Sequence, residues 1–336
     1  MKPDISIILP VHNNADTIQE CIHSILIQTI TNFEIIIIDD GSTDTSIDII
    51  NQLAGHDSRL TLLQPGRIGL VDALNIGLSH ATGDLIARMD GDDIMHPERL
   101  EKQYQFLTHN TDTGLISCRA HLFPKNLIKQ GYIEYMEWQN NCLTTADINN
   151  QIYVESPFAH PSVMFRKTIL DQVGVYHKGD FPEDYELWLR FHHAGIKMCK
   201  LPDYLLDWRE SPNRTSRTDT RYKTTSFDKL RANFLAKDNR IPRDRPIVIW
   251  GAGKKSRRRA QLLLQQGFTI NAWVDVDPNK IGNTIQGVPV KAHTWLTQTN
   301  KPFILNYVNN HGARVEVETY LNQTGYQVGL DYLSVG

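Results

Sequence analysis

Apolar residues fall into short blocks that alternate between two spacings along the first part of the chain. Ile5-Ser6-Ile7-Ile8-Leu9-Pro10-Val11 has almost no polar alternation, which predicts a strand covered on both faces, as in a parallel sheet. Residues 13–17 supply turn and capping side chains. Ile18, Cys21, Ile22, Ile25 and Leu26 then recur at helical spacing. The cycle repeats. Residues 33–38 and 60–63 read as strands, with Ile47, Ile50 and Leu53 marking the helix between them. Residues 65–69 form a loop, 71–81 a helix and 85–90 a fourth strand. Strand and helix in alternation predict an α/β unit with a mainly parallel sheet.

Beyond it, residues 114–118 read as a strand and 124–150 as irregular and polar. Tyr132, Tyr135 and Trp138 in that stretch suit either a sugar-binding surface or, as the simpler reading, a core helix around Trp138. Leu187, Trp188, Leu189 and Phe191 mark a helix that starts at Glu183-Asp184. After the Arg- and Pro-containing stretch 240–246 a new unit begins. Residues 247–250 are a strand, Gly251 and Gly253 a tight turn, and Ala260, Leu263 and Leu264 a helix. Strand 270–274 then ends in Asp275. This is a Rossmann-like pattern with an acid about two dozen positions after the Gly turn, although Ser256 stands where a third Gly would allow close packing. The predicted division is 1–220, a polar helical linker over 221–245, and a small α/β domain over 246–336.

The polar residues gather where the strands end. Pro10-Val11-His12-Asn13 closes the first strand and Asp39-Asp40 the second. Arg67 follows the third, and Asp90, Asp92 and Asp93 close the fourth. Ligands of open α/β sheets bind beyond the carboxyl ends of the strands. Asp90 and Asp92, two apart, would share a face of an extended backbone. Carboxylates this close repel one another unless a cation lies between them, and a hard divalent ion takes oxygen ligands. The competing reading makes them caps for a helix starting near His96-Pro97-Glu98-Arg99.

Composition narrows the class. The 336 residues are 40% hydrophobic and 22% charged, ordinary for soluble globular domains and enough for two. Net charge is −3, from 35 Lys plus Arg against 38 Asp plus Glu, which excludes a bulk nucleic-acid binder. Cys21, Cys118, Cys142 and Cys199 form no CxxC pair, so the thiols read as reduced and cytoplasmic, with no structural zinc. No signal-peptide pattern or membrane-length apolar run occurs. Any membrane association is expected to be peripheral, at the inner face.

Three motifs together carry a resemblance. Pro10-Val11-His12-Asn13, Asp39-Asp40-Gly41-Ser42-Thr43-Asp44 and Met89-Asp90-Gly91-Asp92-Asp93, in this order, resemble the inverting family 2 glycosyltransferases over roughly residues 4–220. The resemblance implies a GT-A fold, a nucleotide-sugar donor and Mn²⁺ or Mg²⁺. It implies that Pro10 and His12 line the base pocket, where the family usually carries Tyr in place of His12. Asp40 would accept from a uracil ring, which favours UDP-sugar, and Arg67 would contact base or phosphate. Asp92 would be the main metal ligand, with Asp90 toward ribose or metal. Glu183-Asp184 ahead of the Leu-Trp-Leu helix resembles the catalytic motif, with Asp184 as general base and Glu183 holding the acceptor or orienting Asp184. The segment 208–216 resembles the loop closing over the diphosphate, with Arg209, Arg214 and Ser216 as phosphate contacts, or with Arg214 in a solvated linker as the alternative. The family often has His where Ser211 stands. The C-terminal domain resembles small nucleotide-sugar-binding modules, with ligand binding, homo-oligomerisation or docking as its roles. The implied function is transfer of a sugar to a saccharide or lipid-linked saccharide in bacterial surface polysaccharide synthesis. The alternative is an inactive nucleotide-sugar sensor or scaffold.

Overall fold

Strand β1 (Ile5–Val11) is buried along its whole length. It lies inside an eight-stranded sheet with β2 (Phe33–Asp39), β3 (Leu60–Leu63), β4 (Leu85–Arg88), β5 (Ile94–Met95), β6 (Thr113–Phe123), β7 (Met164–Arg166) and β8 (Lys197–Arg209). The order is β3-β2-β1-β4-β7-β6-β8-β5. The first four strands are parallel, β7 runs antiparallel between β4 and β6, and β6 pairs parallel with β8. This computed structural model describes residues 2–211 and 214–336, and the side chains of all of them except Thr215, Ser216 and His311. Contacts divide the chain into two units, one of residues 1–145 and 157–219, the other of 146–156 and 220–336.

In the first unit, helices α1 (Ile18–Leu26), α2 (Ser46–Ala54), α3 (Leu70–His80) and α4 (Arg99–His109) flank the sheet. One core joins alternate residues of β1 and β2 (Ile5, Ile7, Leu9; Ile35, Ile37) to Ile18, Ile22 and Ile25 of α1. On the opposite face α3 lies close to β1 and β2 at Gly77. A Cβ there would fall 2.6 Å from Ile8 and 2.8 Å from Ile38. Gly83, just ahead of β4, is tighter against main chain, since its Cβ would lie 2.7 Å from the Ser6 nitrogen. Gly83→Ala is therefore expected to destabilise the protein by about 1–3 kcal/mol. Gly131 has open space at its Cβ position, so Gly131→Ala should be neutral or slightly stabilising. Differential scanning calorimetry of both variants checks the contrast.

The fourth strand stops at Arg88, two residues before the expected end. The reason is a turn in which the Asp93 N–H donates to the Asp90 carbonyl at 3.3 Å. The stretch read as irregular contains α5 (Gln130–Asn141) and α6 (Thr145–Gln151). Tyr132, Tyr135 and Trp138 recur every three positions along α5, so its signal is an aromatic stripe rather than a full apolar face. Helices α7 (Ile169–Val173) and α8 (Glu183–His193) follow β7, and the short α9 (Thr215–Thr218) follows β8. Among the described residues no helix is long and apolar enough to cross a membrane.

The second unit is a six-stranded sheet of β9 (Ile247–Trp250), β10 (Ala272–Asp275), β11 (Thr284–Ile285), β12 (Val288–Ala292), β13 (Phe303–Asn306) and β14 (Tyr332–Ser334). Its order β11-β12-β10-β9-β13-β14, parallel from β12 to β14, is the open doubly wound arrangement. Residues 224–235, inside the stretch read as a linker, form α10 (Thr224–Leu235), which packs on α11 (Lys254–Leu264); α12 (His311–Gln323) completes the unit. The segment 146–156 is built into this unit. Arg231 donates to the Val154 carbonyl, and Arg240 Nη1 donates to the Asn149 carbonyl at 2.7 Å.

Candidate active site

The loops after β1 and β2 are laced together by their own polar side chains. Asn13 adopts a left-handed φ of 53°. Its backbone N–H donates to Ser42 Oγ at 2.9 Å, and its side-chain oxygen accepts from the Thr43 N–H at 2.8 Å. Asp44 accepts from the Ala15 N–H at 3.0 Å. Pro10 is buried within β1, and His12 is exposed beside the Asn13 side chain. Asp40 is buried and grips the loop after β3. Its Oδ1 accepts from the Ile68 and Gly69 N–H groups, both at 2.7 Å. Its Oδ2 pairs with Arg67 Nη1 at 2.5 Å. Arg67 is therefore held against Asp40, and one side of Asp40 Oδ2 is what remains for a further donor. Gly41, at φ 69°, lets this loop approach, since a Cβ there would lie 2.9 Å from the Arg67 nitrogen.

The acidic turn after β4 is not a helix cap, because β5 intervenes and α4 starts only at Arg99. Asp90 and Asp92 are partly exposed, whereas Asp93 is buried. Asp93 Oδ1 accepts from the Arg209 N–H at 2.7 Å, and Asp93 Oδ2 is buried without a partner among the described residues. Burial, with the Asp90 charge beside it, pushes the Asp92 carboxyl up to about 6. Burial, followed by the charges of Asp92 and Asp90, raises Asp93 well above the carboxylate range. These shifts mark a turn that holds more negative charge than its surroundings neutralise.

Several arginines surround it. Arg88 is 2% exposed and pairs through Nη2 with Asp90 Oδ1 at 2.6 Å. Arg99 is fully buried and donates from Nη2 to the Arg88 carbonyl at 3.0 Å. Arg209 donates from Nε to the Asp92 carbonyl at 2.6 Å, pairs with Glu20 at 2.6 Å and lies over the Phe123 ring. The guanidinium expected at phosphate thus braces the acidic turn. Arg214 lies over Trp208, 4.2 Å from the ring centroid, and donates to the Tyr132 hydroxyl at 2.8 Å. The charges of Asp92 and Asp93 act on it. Ser216 lies outside the described side chains. Sequence reasoning passed over Arg88 as a site residue. The available signal was an Arg inside an apolar strand run, since an unpaired Arg is rarely buried there.

Glu183 and Asp184 open α8 directly after Pro182, in the first turn where the helix dipole favours carboxylates. Glu183 is buried and Asp184 partly so. Asp184 Oδ1 accepts from the Tyr185 N–H at 2.7 Å. Burial, then the neighbouring Glu183 charge, pushes Asp184 up to about 7. His160 and Tyr176 lie nearby in the same unit, joined by a 2.8 Å hydrogen bond. Burial keeps the imidazole neutral and the phenol protonated. Ser162 closes a 3-10 turn ahead of β7, and its hydroxyl meets that of Ser117 at 2.6 Å. The structure therefore offers a carboxylate suited to proton transfer near neutrality and an acidic turn suited to a cation.

Residues 6–174 match the profile described as glycosyl transferase family 2, and residues 242–301 match the CoA binding domain profile. The O-antigen biosynthesis glycosyltransferase WbnJ of Escherichia coli is 32% identical over 240 residues, covering 69% of this chain and 89% of its own. The amylovoran biosynthesis glycosyltransferase AmsE of Erwinia amylovora is 30% identical over 207 residues, 61% of this chain and 75% of its own. Among solved structures, S. aureus TarS 1–349 in complex with UDP-GlcNAc superposes with a TM-score of 0.56 at 16% identity, covering 78% of this chain and 71% of that one. That likeness extends the GT-A fold to this chain.

Proposed function

Because the chain belongs to glycosyl transferase family 2, we propose that this glycosyltransferase is metal-dependent and inverting, and that it moves a sugar from UDP-sugar to a saccharide or lipid-linked saccharide hydroxyl. Its relatives WbnJ and AmsE are named for O-antigen and amylovoran biosynthesis, which supports a surface-polysaccharide acceptor. The observation that carries the mechanism is the Glu183-Asp184 carboxylate pair on the first turn of α8, where burial and the Glu183 charge push Asp184 up to about 7. A base of that strength is ionised in a useful fraction near neutral pH and still takes a proton readily. Asp184 removes the acceptor hydroxyl proton as the oxygen attacks the anomeric carbon from the face opposite the diphosphate. Burial, and then the Glu183 charge, keep Asp184 basic.

The acidic turn fits a hard divalent cation. Asp93 carries a buried carboxylate oxygen without a partner among the described residues, and Asp92 is pushed toward protonation by burial and then by Asp90. Asp92 and Asp90 would hold the ion. Among the described residues no three His, Cys, Asp or Glu side chains are grouped to hold a metal alone, so diphosphate oxygens and water would complete the shell. Bound there, the ion supplies neutralisation of the charge on the departing diphosphate. Asp40, with one lone-pair direction left on Oδ2, is suited to a ring N–H such as that of uracil, beside Pro10 and His12. Arg67 braces that acceptor, and Arg209 braces the turn that carries Asp92. TarS, a protein of the same fold, is seen with UDP-GlcNAc.

The second unit does not fit a ribose-bound dinucleotide. Both carboxylate oxygens of Asp275 are engaged, by the Ala252 and Asp277 N–H groups at 2.9 Å each and by Lys280. The transfer chemistry resides in the first unit.

Thermal-shift measurement with UDP-, GDP- and dTDP-sugars, each with and without Mn²⁺, tests the donor. Uridine sugars with Mn²⁺ should raise the melting temperature most, because a ligand of the native state stabilises by mass action, by about 2.7 kcal/mol at a hundred times Kd. A rise with guanosine sugars and none with uridine sugars would overturn the donor assignment.

A further inference from the structure

Four successive main-chain carbonyls of the acidic turn each accept a hydrogen bond from a side chain. Met89 accepts from Arg88, Asp90 from the Cys21 thiol at 3.1 Å, Gly91 from the Thr17 hydroxyl at 2.9 Å and Asp92 from Arg209 Nε at 2.6 Å. Two of these donors stand on one short helix. Thr17 is the N-cap of α1, and Cys21 lies one turn further on. Threonine at an N-cap ordinarily accepts from an N–H of its own first turn. The Thr17 side chain makes no such bond and donates to Gly91 instead. Cys21 is fully buried, so water does not compete for its thiol. Gly91 is itself buried against the start of the same helix. A Cβ there would lie 3.1 Å from Asn14 Oδ1 and 3.4 Å from Ile18 Cδ1.

The carbonyls of Asp90 and Gly91 belong to the two peptide planes that separate the Asp90 and Asp92 side chains. A peptide unit is planar, so holding these two oxygens restrains how far apart the carboxylates stand and which way they face. Mutual repulsion would otherwise swing them apart until an ion arrived. We propose that Thr17 and Cys21 are positioning residues, which hold the Asp90–Asp92 turn in its ion-binding form before the ion arrives. The inference rests on the reading of Asp92 and Asp90 as cation ligands. Each residue acts through the main chain of the turn, not on the ion itself, as the outer contacts of a metal site act through its ligands. Ser6 serves as a structural control. It is fully buried at the opposite end of β1, donates to Glu34 at 2.6 Å and accepts from the Gly83 N–H at 2.8 Å.

The test is calorimetric titration of Mn²⁺ into the full chain with UDP, against UDP alone, with melting temperature measured alongside. The wild type should bind Mn²⁺ above that blank, and Asp92→Asn should not. Absence of wild-type binding would remove the cation reading, and the present inference with it. Given that binding, Thr17→Val keeps the shape but loses the donor, and should weaken Mn²⁺ about tenfold, as loss of an outer contact does at other metal sites. Thr17→Ser should restore the wild-type affinity. Cys21→Ala should weaken Mn²⁺ by a similar factor. Ser6→Ala should lower the melting temperature and leave the Mn²⁺ affinity where it was. Unchanged affinity in Thr17→Val or Cys21→Ala, or an equal loss in Thr17→Ser or Ser6→Ala, would overturn the role while the cation site stands. If Thr17→Val does not fold, Cys21→Ala decides alone: a tenfold loss supports the role and an unchanged affinity refutes it.

Discussion

Asp184→Asn is expected to reduce kcat by about 10²–10⁴-fold, the usual worth of a general base, while UDP-sugar binding persists. The amide has the shape of the carboxylate and can still accept the Tyr185 N–H, so α8 should start as before. What it cannot do is take a proton. Steady-state kinetics with calorimetric donor titration separates the two effects; normal turnover in the variant would remove the mechanism. The pH profile gives an independent reading. With Asp184 at about 7, wild-type kcat should rise as pH climbs through neutrality, and the residual rate of the Asn variant should be flat there. Stability should move the opposite way. A carboxyl raised by burial favours the folded state only while it stays protonated. Its contribution is full below the ordinary carboxylate range and disappears as pH passes about 7. Above that pH the Asn variant should melt at a higher temperature than the wild type, a gain made at the expense of function.

Stripping divalent ions with EDTA is expected to bring transfer to background, and Mn²⁺ should restore it. The expected loss is several kcal/mol of transition-state stabilisation, roughly 10²–10³-fold or more. Asp92→Asn should lose activity that added Mn²⁺ recovers only in small part. Two features of the acidic turn underlie this expectation. Asp92 is pushed toward protonation by burial and Asp90, and Asp93 keeps a buried oxygen without a partner among the described residues. A cation offsets both. Full activity after exhaustive chelation would show that arginines alone, with Arg214 foremost, carry the diphosphate charge.

The alternation of apolar blocks was sufficient to locate β1 to its end residues and to place the polar rim of the first sheet. It could do so because a strand buried on both faces has little room for polar residues, so the ends of β1, β2 and the β4 run are written as the first His or Asp. The acids of the rim were legible for the same reason. Their partners were not. Asp40 looked like a free acceptor, but two main-chain N–H groups and Arg67, 27 and more positions away, converge on it. Arg209 looked like a phosphate ligand in a polar loop, yet it ends β8 and braces the Asp92 carbonyl. Such pairings depend on which strand ends become neighbours, and spacing along the chain does not encode that. In residues 124–150 the helix around Trp138 was legible as the simpler reading, but its extent was not, because α5 buries only a narrow stripe, with Met136, Gln139 and Asn140 inside.

The membership of residues 146–156 in the second unit has a consequence for how such a molecule can be inherited. A module joined end to end can be gained or lost by one recombination event at its border. Here Arg231 and Arg240 depend on carbonyls at Val154 and Asn149, contributed by a stretch that interrupts the transferase sequence. A gene truncated after codon 219 would leave that stretch without its hosts, and a transplanted tail would arrive without its guest. Loss or exchange of the C-terminal part therefore requires matched changes at two separate places, which predicts that both pieces are retained or discarded together among descendants.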